Sequence, residues 1–314
     1  MRVAVVGGGT SPEYDVSRAS AAGIADALAA TGHDPVRLTI DPTGAWHGEQ
    51  GPIGLAGAVH AIQSCDAVFP ALHGRHGEDG TLAALADLAG VPLIGSPLRA
   101  GAIAMDKWAT KLVAEAVGVR TAPGALLTKR TPYPFSRPVV VKPVTAGSSH
   151  GVSLARTVEE FASALAEAFA LDDRVLVEEV IAGREIDLAV LGRPDGSREV
   201  APALEIANDG IFDLATKYDG SARFVVPAPL DEVARKELEH AAVTVYDALG
   251  CAGVARIDFF LTEDGPVLNE VNTMPGFTEH SQVPRMFAAA GVGYPALVDR
   301  LVRDVVGDVV PLPA

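Results

Sequence analysis

An acid and an amide stand two positions apart in the segment NEVNTMPG, which ends in a tight Pro-Gly turn. On a β-strand, Glu270 and Asn272 of this segment project from the same face. The preceding segment ARIDFF carries Arg256 and Asp258 with the same spacing. If the intervening hairpin loop comprises residues 263–265, Asp258 faces Glu270, Arg256 faces Asn272, and all four side chains share one face. A two-residue Asp-Gly turn would instead put Asp258 on the opposite face.

The shared face has the chemistry of a magnesium site. Asp258, Glu270 and Asn272 offer hard oxygen ligands in a set too small to enclose Ca²⁺. Proteins usually hold Mg²⁺ jointly with nucleotide phosphates, so the pattern predicts Mg²⁺ on ATP. The alternative is a solvated hairpin face, which the apolar FF and VL pairs of the same strands disfavour.

A loop of small residues, KPVTAGSSHG, directly follows the apolar run PVVV. The backbone N–H groups of Gly147, Ser148 and Ser149 can surround phosphate oxygens, while Lys142 supplies positive charge. The lysine precedes the glycines, so the segment does not have the Walker spacing of a P-loop NTPase. The alternative is a loop that only turns the chain.

The segment VEEVIAGRE predicts a strand that runs into a turn with acidic residues on both sides. An edge strand offers backbone groups suited to the edge of an adenine, and a carboxylate beyond it suits a ribose diol. The candidate nucleotide-binding residues here are Glu178, Glu179, Val180 and Glu185.

Two further loops follow predicted strands near the N-terminus. GGGTS does not match a dinucleotide-binding fingerprint, because Pro12 stands where a third glycine is needed. A glycine-rich turn entering a helix can still hold an anion, and Glu13 beside it is a candidate ligand contact. HGRHGEDG contains His73; a metal-binding pair with His76 is the less favoured interpretation. The ionisable side chains among the glycines of this loop suggest polar recognition of a ligand. The alternative for Glu78 and the acid after it is that they cap the next helix.

Composition narrows the classes of partner. The chain has 314 residues, 48% of them hydrophobic, and a formal net charge of −15. This charge argues against binding a nucleic-acid backbone and favours a small or cationic partner, or an anion met by locally concentrated lysines. Two cysteines provide no disulfide framework. The start MRVAVVGGG predicts a β-strand rather than a signal peptide, and no segment predicts a membrane span. We expect a cytoplasmic protein.

Alternating strand and helix signals in the first third predict an α/β fold with a parallel sheet. We predict an N-terminal substrate-binding domain at 1–96, a central domain at 97–185, and a C-terminal domain with the metal site at 186–314. A polar stretch without clear periodicity lies between Asn208 and Pro227. A loop of this length inside a compact protein is usually functional.

With these residues in view, the chain resembles the D-alanine–D-alanine ligase family of the ATP-grasp superfamily. The resemblance covers nearly the whole chain and rests on GGGTSPEYDVS, ALHGRHGEDGT, AMDKWATK, VKPVTAGSSHGVS, ATKYDG, ARIDFF and NEVNTMPGFTEHSQVP, in this order. It implies three α/β domains with ATP between the central and C-terminal ones. It also implies two D-alanine substrates, ATP, two Mg²⁺ ions that Mn²⁺ can replace, a homodimer, and a role in peptidoglycan precursor synthesis.

The resemblance also implies a role for each matching residue. Lys107 and Lys142 would contact phosphates, Glu178 and Glu185 the adenine and ribose, and Asp258, Glu270 and Asn272 the metals. Glu13 would bind the first D-alanine's ammonium, with His73 in the same pocket, and Lys217 and Ser281 the second substrate's carboxylate. Arg256 and the Gly276 N–H would stabilise an oxyanion. Ser148, Tyr218 and Glu13 would form a hydrogen-bonded clasp that closes a lid, residues 208–226.

The acceptor end departs from the family's usual pattern at His150, Glu279 and Gln282. A related ligase that uses D-lactate, D-serine or a natural-product amino acid as acceptor is therefore the alternative. A catalytically silent nucleotide-binding module is a second one, disfavoured because Lys107, Lys142 and the metal ligands are all present.

Overall fold

The computed structural model describes residues 1–147, 149–207 and 223–307. Ser148, Lys217 and Tyr218, together with most of the predicted lid, lie outside the described residues. Among the helices within these ranges, none combines the length and apolar character that crossing a bilayer requires.

The first sheet contains five strands in the order β4-β3-β2-β1-β5. These strands are β1 (Arg2–Gly8), β2 (Asp34–Ile40), β3 (Trp46–Gly48), β4 (Gly51–Pro52) and β5 (Ala67–Pro70). The accompanying helices are α1 (Tyr14–Ala30), α2 (Gly54–Gln63) and α3 (Thr81–Ala89). β1 is parallel to β2 and to β5, which confirms the predicted parallel sheet. The first strand is buried from Val3 to Gly8, so helices cover both of its faces.

The second sheet has four antiparallel strands in the order β6-β9-β7-β8. They are β6 (Gly124–Thr128), β7 (Val139–Pro143), β8 (Ser153–Ala155) and β9 (Arg174–Glu179), with α6 (Val158–Leu171) packed on them. Two helices precede this sheet, α4 (Leu98–Met105) and α5 (Lys107–Ala116).

The third sheet is antiparallel, in the order β13-β12-β10-β14-β15, with β11 also paired to β10. Its strands are β10 (Arg184–Gly192), β11 (Arg198–Val200), β12 (Leu204–Ala207), β13 (Arg223–Val225), β14 (Val254–Thr262) and β15 (Gly265–Asn272). The helices are α7 (Glu232–Leu249), α8 (Gln282–Ala289) and α9 (Tyr294–Val306). α4 and α5 share a hydrophobic core with α7 and this sheet, through residues such as Ala104 and Ala114.

The β14–β15 hairpin has the predicted facing pairs, although its turn differs from the predicted one. Thr262 pairs with Gly265, so the loop has two residues rather than three. A β-bulge after Asp258 leaves Asn269 without a directly opposite residue, and this shift restores the pairing of Asp258 with Glu270. Gly265 adopts φ 100°, which a side chain would disfavour. The four predicted side chains therefore share a face because turn and bulge compensate.

Candidate active site

Three carboxylates form a row across three adjacent strands of the third sheet. Asp187 on β10 lies opposite Asp258 on β14, which lies opposite Glu270 on β15. Like charges at facing positions repel, so a row of this kind requires positive charge beside it. The row is therefore a place where a neighbouring cation is stabilised.

Arg256 provides part of that positive charge. Its Nε and Nη2 donate hydrogen bonds of 2.7 Å to the two carboxylate oxygens of Asp258. The guanidinium also lies 3.8 Å from both Asp187 and Glu270. Burial opposes the charge of Arg256, but the neighbouring carboxylates, Asp258 foremost, raise its pKa further above the ordinary value. Arg256 is thus a permanent cation in the row.

The donor set fits a magnesium ion shared with a ligand. Asn272 donates from Nδ2 to Asp258 at 3.1 Å, which leaves its amide oxygen for another partner. Within the described ranges, no cluster of three or more His, Cys, Asp or Glu side chains could hold a metal alone. Asp258, Glu270 and Asn272 therefore suit a cation that takes its other ligands from phosphate oxygens or water.

A cavity of about 290 Å³ opens above this row. Parts of all three sheet regions line it, including Glu13 after β1, Lys107 at the start of α5, and Arg256 on β14. Other predicted residues that line it are His73, Ser149, Glu185, Asp258, Glu270, Asn272, Gly276 and Gln282. The structure thus brings together most of the predicted residues that it describes.

The N-terminal wall of the cavity combines His73 with two carboxylates. The Nδ1 of buried His73 lies 3.1 Å from the Met274 carbonyl, and Nε2 lies 3.5 Å from the Ser20 hydroxyl. Burial lowers the pKa of His73, against the opposing charge of Glu13. The ring is therefore biased towards its neutral form, in which Nδ1–H donates to the carbonyl.

Glu78 lines the cavity and does not cap α3, which was the alternative interpretation of its position. Its Oε2 accepts a 3.0 Å hydrogen bond from the Gly74 N–H, whereas Asp79 accepts from the N–H of Thr81, the first residue of α3. Burial, followed by the charge of Glu13, raises the pKa of Glu78 to about 7. The cavity therefore contains a carboxyl group that titrates near neutral pH.

A narrower cleft of about 80 Å³ adjoins the cavity between the second and third sheets. Its walls are largely apolar, with Val140, Leu154, Ile181, Phe260 and Leu268 among them. Lys107, Ser149, Glu185 and Glu270 line both spaces. A flat aromatic group in the cleft could therefore extend a charged tail into the cavity.

Both predicted phosphate-binding lysines line the cleft. Lys107 donates to the Ala146 carbonyl at 2.6 Å, and burial lowers its pKa. Lys142 lies 2.5 Å from Glu178 and 3.4 Å from the Asn269 side-chain oxygen. Ser149 adopts a left-handed φ of 53° in the intervening loop. The lysines thus approach the same space from α5 and β7.

The four candidate nucleotide-binding residues of the segment VEEVIAGRE differ in their surroundings. Glu178 is buried and ion-paired with Lys142 and Lys111, whose charges hold its pKa below the ordinary value although burial opposes this. Glu179 pairs with Arg137 at 2.8 Å. Val180 is exposed beside the cleft, and Glu185 is buried between cleft and cavity.

Beyond Gly276, Gln282 lines the cavity, whereas Ser281 is not among the residues that line it. Ser281 Oγ accepts a 3.0 Å hydrogen bond from the Thr278 N–H and lies 3.4 Å from where a Cβ on Gly276 would stand. Gln282 Nε2 donates to the buried Asp187 carboxylate at 2.9 Å. This end of the cavity therefore has a polar lining.

Sequence reasoning missed Asp187, Asn269 and Lys111. Asp187 follows Glu185 by two positions within an apolar strand, a signal that could have identified it. Asn269 enters the site through the bulge, and Lys111 through packing of α5, neither of which has a local sequence signal.

Known proteins resemble the chain over nearly its full length. The family description "D-ala D-ala ligase N-terminus" matches residues 49–96, and "D-ala D-ala ligase C-terminus" matches residues 123–303. A D-alanine–D-alanine ligase from Mycobacterium tuberculosis is 37% identical, covering 96% of this chain and 95% of the relative.

Two solved structures extend this similarity to the fold. The VanG D-Ala:D-Ser ligase from Enterococcus faecalis has a TM-score of 0.84 and 32% identity, covering 96% of this chain and 98% of its own. A D-alanine–D-alanine ligase from Bacillus anthracis, complexed with ATP, has a TM-score of 0.82 and 27% identity, covering 97% of each chain.

Proposed function

Because the chain belongs to the D-alanine–D-alanine ligase family, we propose that its cavity and cleft form one active site in which ATP activates one D-alanine for attack by a second. The fold is the ATP-grasp architecture with an N-terminal parallel sheet, and the activity is ATP-dependent ligation. The observation that carries the proposal is that Lys107, Glu185 and Glu270 line both spaces, so that one nucleotide can reach from the apolar cleft to the carboxylate row.

The first step of the proposed reaction forms an acylphosphate. A carboxylate oxygen of the first D-alanine bonds to the γ-phosphorus, and the bond from this phosphorus to the β–γ bridging oxygen breaks, releasing ADP. Lys107, Lys142 and the N–H groups around Ser149 offset the negative charge that gathers on the phosphates. Glu13 binds the ammonium group of this D-alanine, with His73 behind it.

The metal has a defined place in this proposal. Asp258, Glu270 and Asn272 would hold Mg²⁺, as two ions that Mn²⁺ can replace. The bound metal would neutralise phosphate charge. Arg256 orients Asp258 through two hydrogen bonds.

The second step forms the peptide bond. The amine of the second D-alanine bonds to the acyl carbon, and the carbon–oxygen bond to phosphate breaks, with the proton of the amine leaving on the released phosphate. Arg256 and the Gly276 N–H stabilise the tetrahedral oxyanion. Lys217 and the Ser281 hydroxyl hold the acceptor carboxylate, and Glu185 holds the ribose. Tyr218, Ser148 and Glu13 close the lid, which protects the acylphosphate from water.

The test is the dependence of ADP release on D-alanine, with product identification by mass spectrometry. We expect D-alanyl-D-alanine as the main product when D-alanine, D-serine and D-lactate compete as acceptors. If a mixed dipeptide or an ester predominates instead, the preferred acceptor is D-serine or D-lactate and not D-alanine. Nucleotide binding without D-alanine-dependent turnover would favour a silent binding module.

Two properties of the family complete the proposal. The enzyme works in the cytoplasm, where it supplies peptidoglycan precursors, and it is a homodimer. Light scattering coupled to size-exclusion chromatography measures the assembly, and a monomer at micromolar concentration would contradict the second property.

A further inference from the structure

Lys111 is a buried cation behind the cleft. It lies on α5, with 6% of its surface exposed, and its ammonium group donates to the Ala122 carbonyl and to Glu178 Oε1, the latter at 2.6 Å. Lys111 is not among the residues that line the cleft. A buried ammonium group is costly unless it is paired, so its position calls for an explanation.

The second oxygen of Glu178 binds the lysine that does face the cleft. Glu178 Oε2 lies 2.5 Å from the ammonium nitrogen of Lys142. Both residues line the cleft, and both are more than nine-tenths buried. One carboxylate is therefore shared by a lysine at the cleft and a lysine behind it.

We call Lys111, Glu178 and Lys142 the charge triad. Its net charge determines the electrostatic potential that acts on a ligand in the cleft. Glu178 and Lys142 alone would form a neutral pair, and the positive charge of Lys142 would be cancelled at close range. With Lys111, the three side chains carry one net positive charge. Because screening by water is weak at buried positions, this difference acts on any nearby phosphate.

We propose that Lys111 is a positioning residue, which holds Glu178 in place and preserves the positive charge of Lys142 for the phosphate groups of ATP. The inference rests on the proposed function, since it assumes that ATP occupies the cleft. The lowered pKa of Glu178, caused by the charges of Lys142 and Lys111 against burial, agrees with a permanently ionised carboxylate between two cations.

The test compares affinities for ATP and adenosine, measured by isothermal titration calorimetry. Adenosine fills the same cleft without phosphates, so the ratio of the two affinities reports the contribution of the phosphate groups. We expect Lys111→Met to lower this ratio about tenfold, because the lost charge acts on the phosphates, whereas any shift of Glu178 against the nucleoside weakens both ligands alike. Lys236→Met is the control, because Lys236 is an exposed lysine on α7, and it should leave the ratio unchanged.

A double variant separates charge from shape. Lys111→Met combined with Glu178→Gln leaves Lys142 as the only charge of the triad, so the ratio should return towards the parent value. Glu178→Gln alone leaves the triad with two positive charges, so it should raise the ratio above the parent value. This arm decides the matter if circular dichroism shows that Lys111→Met does not fold, since an unchanged or lower ratio would then overturn the proposal. Equal losses for ATP and adenosine, or a double variant as weak as Lys111→Met, would overturn the proposal.

Binding of ATP and adenosine to the parent protein shows whether the proposed function fails or only the role of Lys111. If the parent binds neither ATP nor adenosine, the proposed function fails. If it binds both and the ratios do not follow the charge of the triad, only the role of Lys111 fails.

Discussion

Arg256 holds Asp258, two positions further along the same strand, by two hydrogen bonds of 2.7 Å. The pair shares a face of β14, so the guanidinium lies alongside the carboxylate row instead of across from it. Glu270 lies 3.8 Å from the same guanidinium. The carboxylates of the site are therefore organised around a cation that belongs to the protein itself.

The role of Glu270 is tested by Glu270→Gln. A neutral amide is a weaker metal ligand and would also relieve the repulsion from Asp258, so the fold should persist while turnover falls about 100-fold or more. The measurement is D-alanine-dependent ADP release at saturating Mg²⁺. Glu263→Gln, in the exposed turn of the same hairpin, is the matched control and should keep parental turnover. Turnover of Glu270→Gln within a few-fold of the parent would remove Glu270 from the metal site.

The raised pKa of Glu78 predicts a pH-dependent stability. Its pKa rises from 4.5 to about 7 in the folded protein, so the native state retains a proton that the unfolded chain has lost. The associated stability is complete below 4.5 and is lost as the pH rises towards 7, by at most about 1.4 kcal/mol per pH unit. Urea unfolding between pH 4.5 and 7 should show that Glu78→Gln removes this decline. Glu49→Gln, which removes an exposed carboxylate, should retain it.

The bond between Gln282 and Asp187 predicts an effect on stability and on the acceptor. Gln282→Leu removes a donor from a buried carboxylate, which should cost about 1–3 kcal/mol in the free energy of unfolding. The ratio of acceptor products should also change, because the polar lining at this end of the cavity becomes apolar. Denaturant unfolding and mass spectrometry of competing D-alanine and D-serine products measure the two effects. An unchanged product ratio would place Gln282 outside the acceptor site.

Tyr218, outside the described residues, is predicted to help close the lid over the acceptor amine. Tyr218→Phe should remove about one buried hydrogen bond, roughly 1–3 kcal/mol, and slow dipeptide synthesis some ten- to a hundred-fold. Both acceptors share the carboxylate, so groups around the nucleophile, Tyr218 among them, must distinguish them. The rate with D-lactate should therefore rise relative to the rate with D-alanine. Dipeptide and ester yields measured side by side test this; an unchanged ester-to-dipeptide ratio would shift attention to Glu279 and Gln282.

Alternation within strands made the shared face of the β14–β15 hairpin predictable. Arg256, Asp258, Glu270 and Asn272 share a face, as their spacing indicated, since side-chain direction in a strand depends mainly on local geometry. The bulge at Asn269 was not predictable, because the turn and the strand pairing compete for the same register. The prediction was correct although its assumed loop length was wrong.

Contacts between distant segments lay beyond this kind of reasoning. Lys111 reaches Glu178 from 67 positions away, and Gln282 reaches Asp187 from 95. Such contacts depend on how helices pack on sheets, and a short window of sequence does not specify that packing. The alternative that Glu78 caps α3 is wrong for a similar reason, since its side chain instead accepts a hydrogen bond from the Gly74 N–H at the cavity wall.

The packing of the last helix on the first has a consequence for synthesis of the chain. Leu297 and Val298 of α9 share one hydrophobic cluster with Val3, Ile24 and Leu28 of the N-terminal sheet region. A ribosome makes α9 long after the N-terminal sheet region. The N-terminal region therefore leaves the exit tunnel with an apolar face that α9 covers only later, and chaperones have that interval in which to bind it.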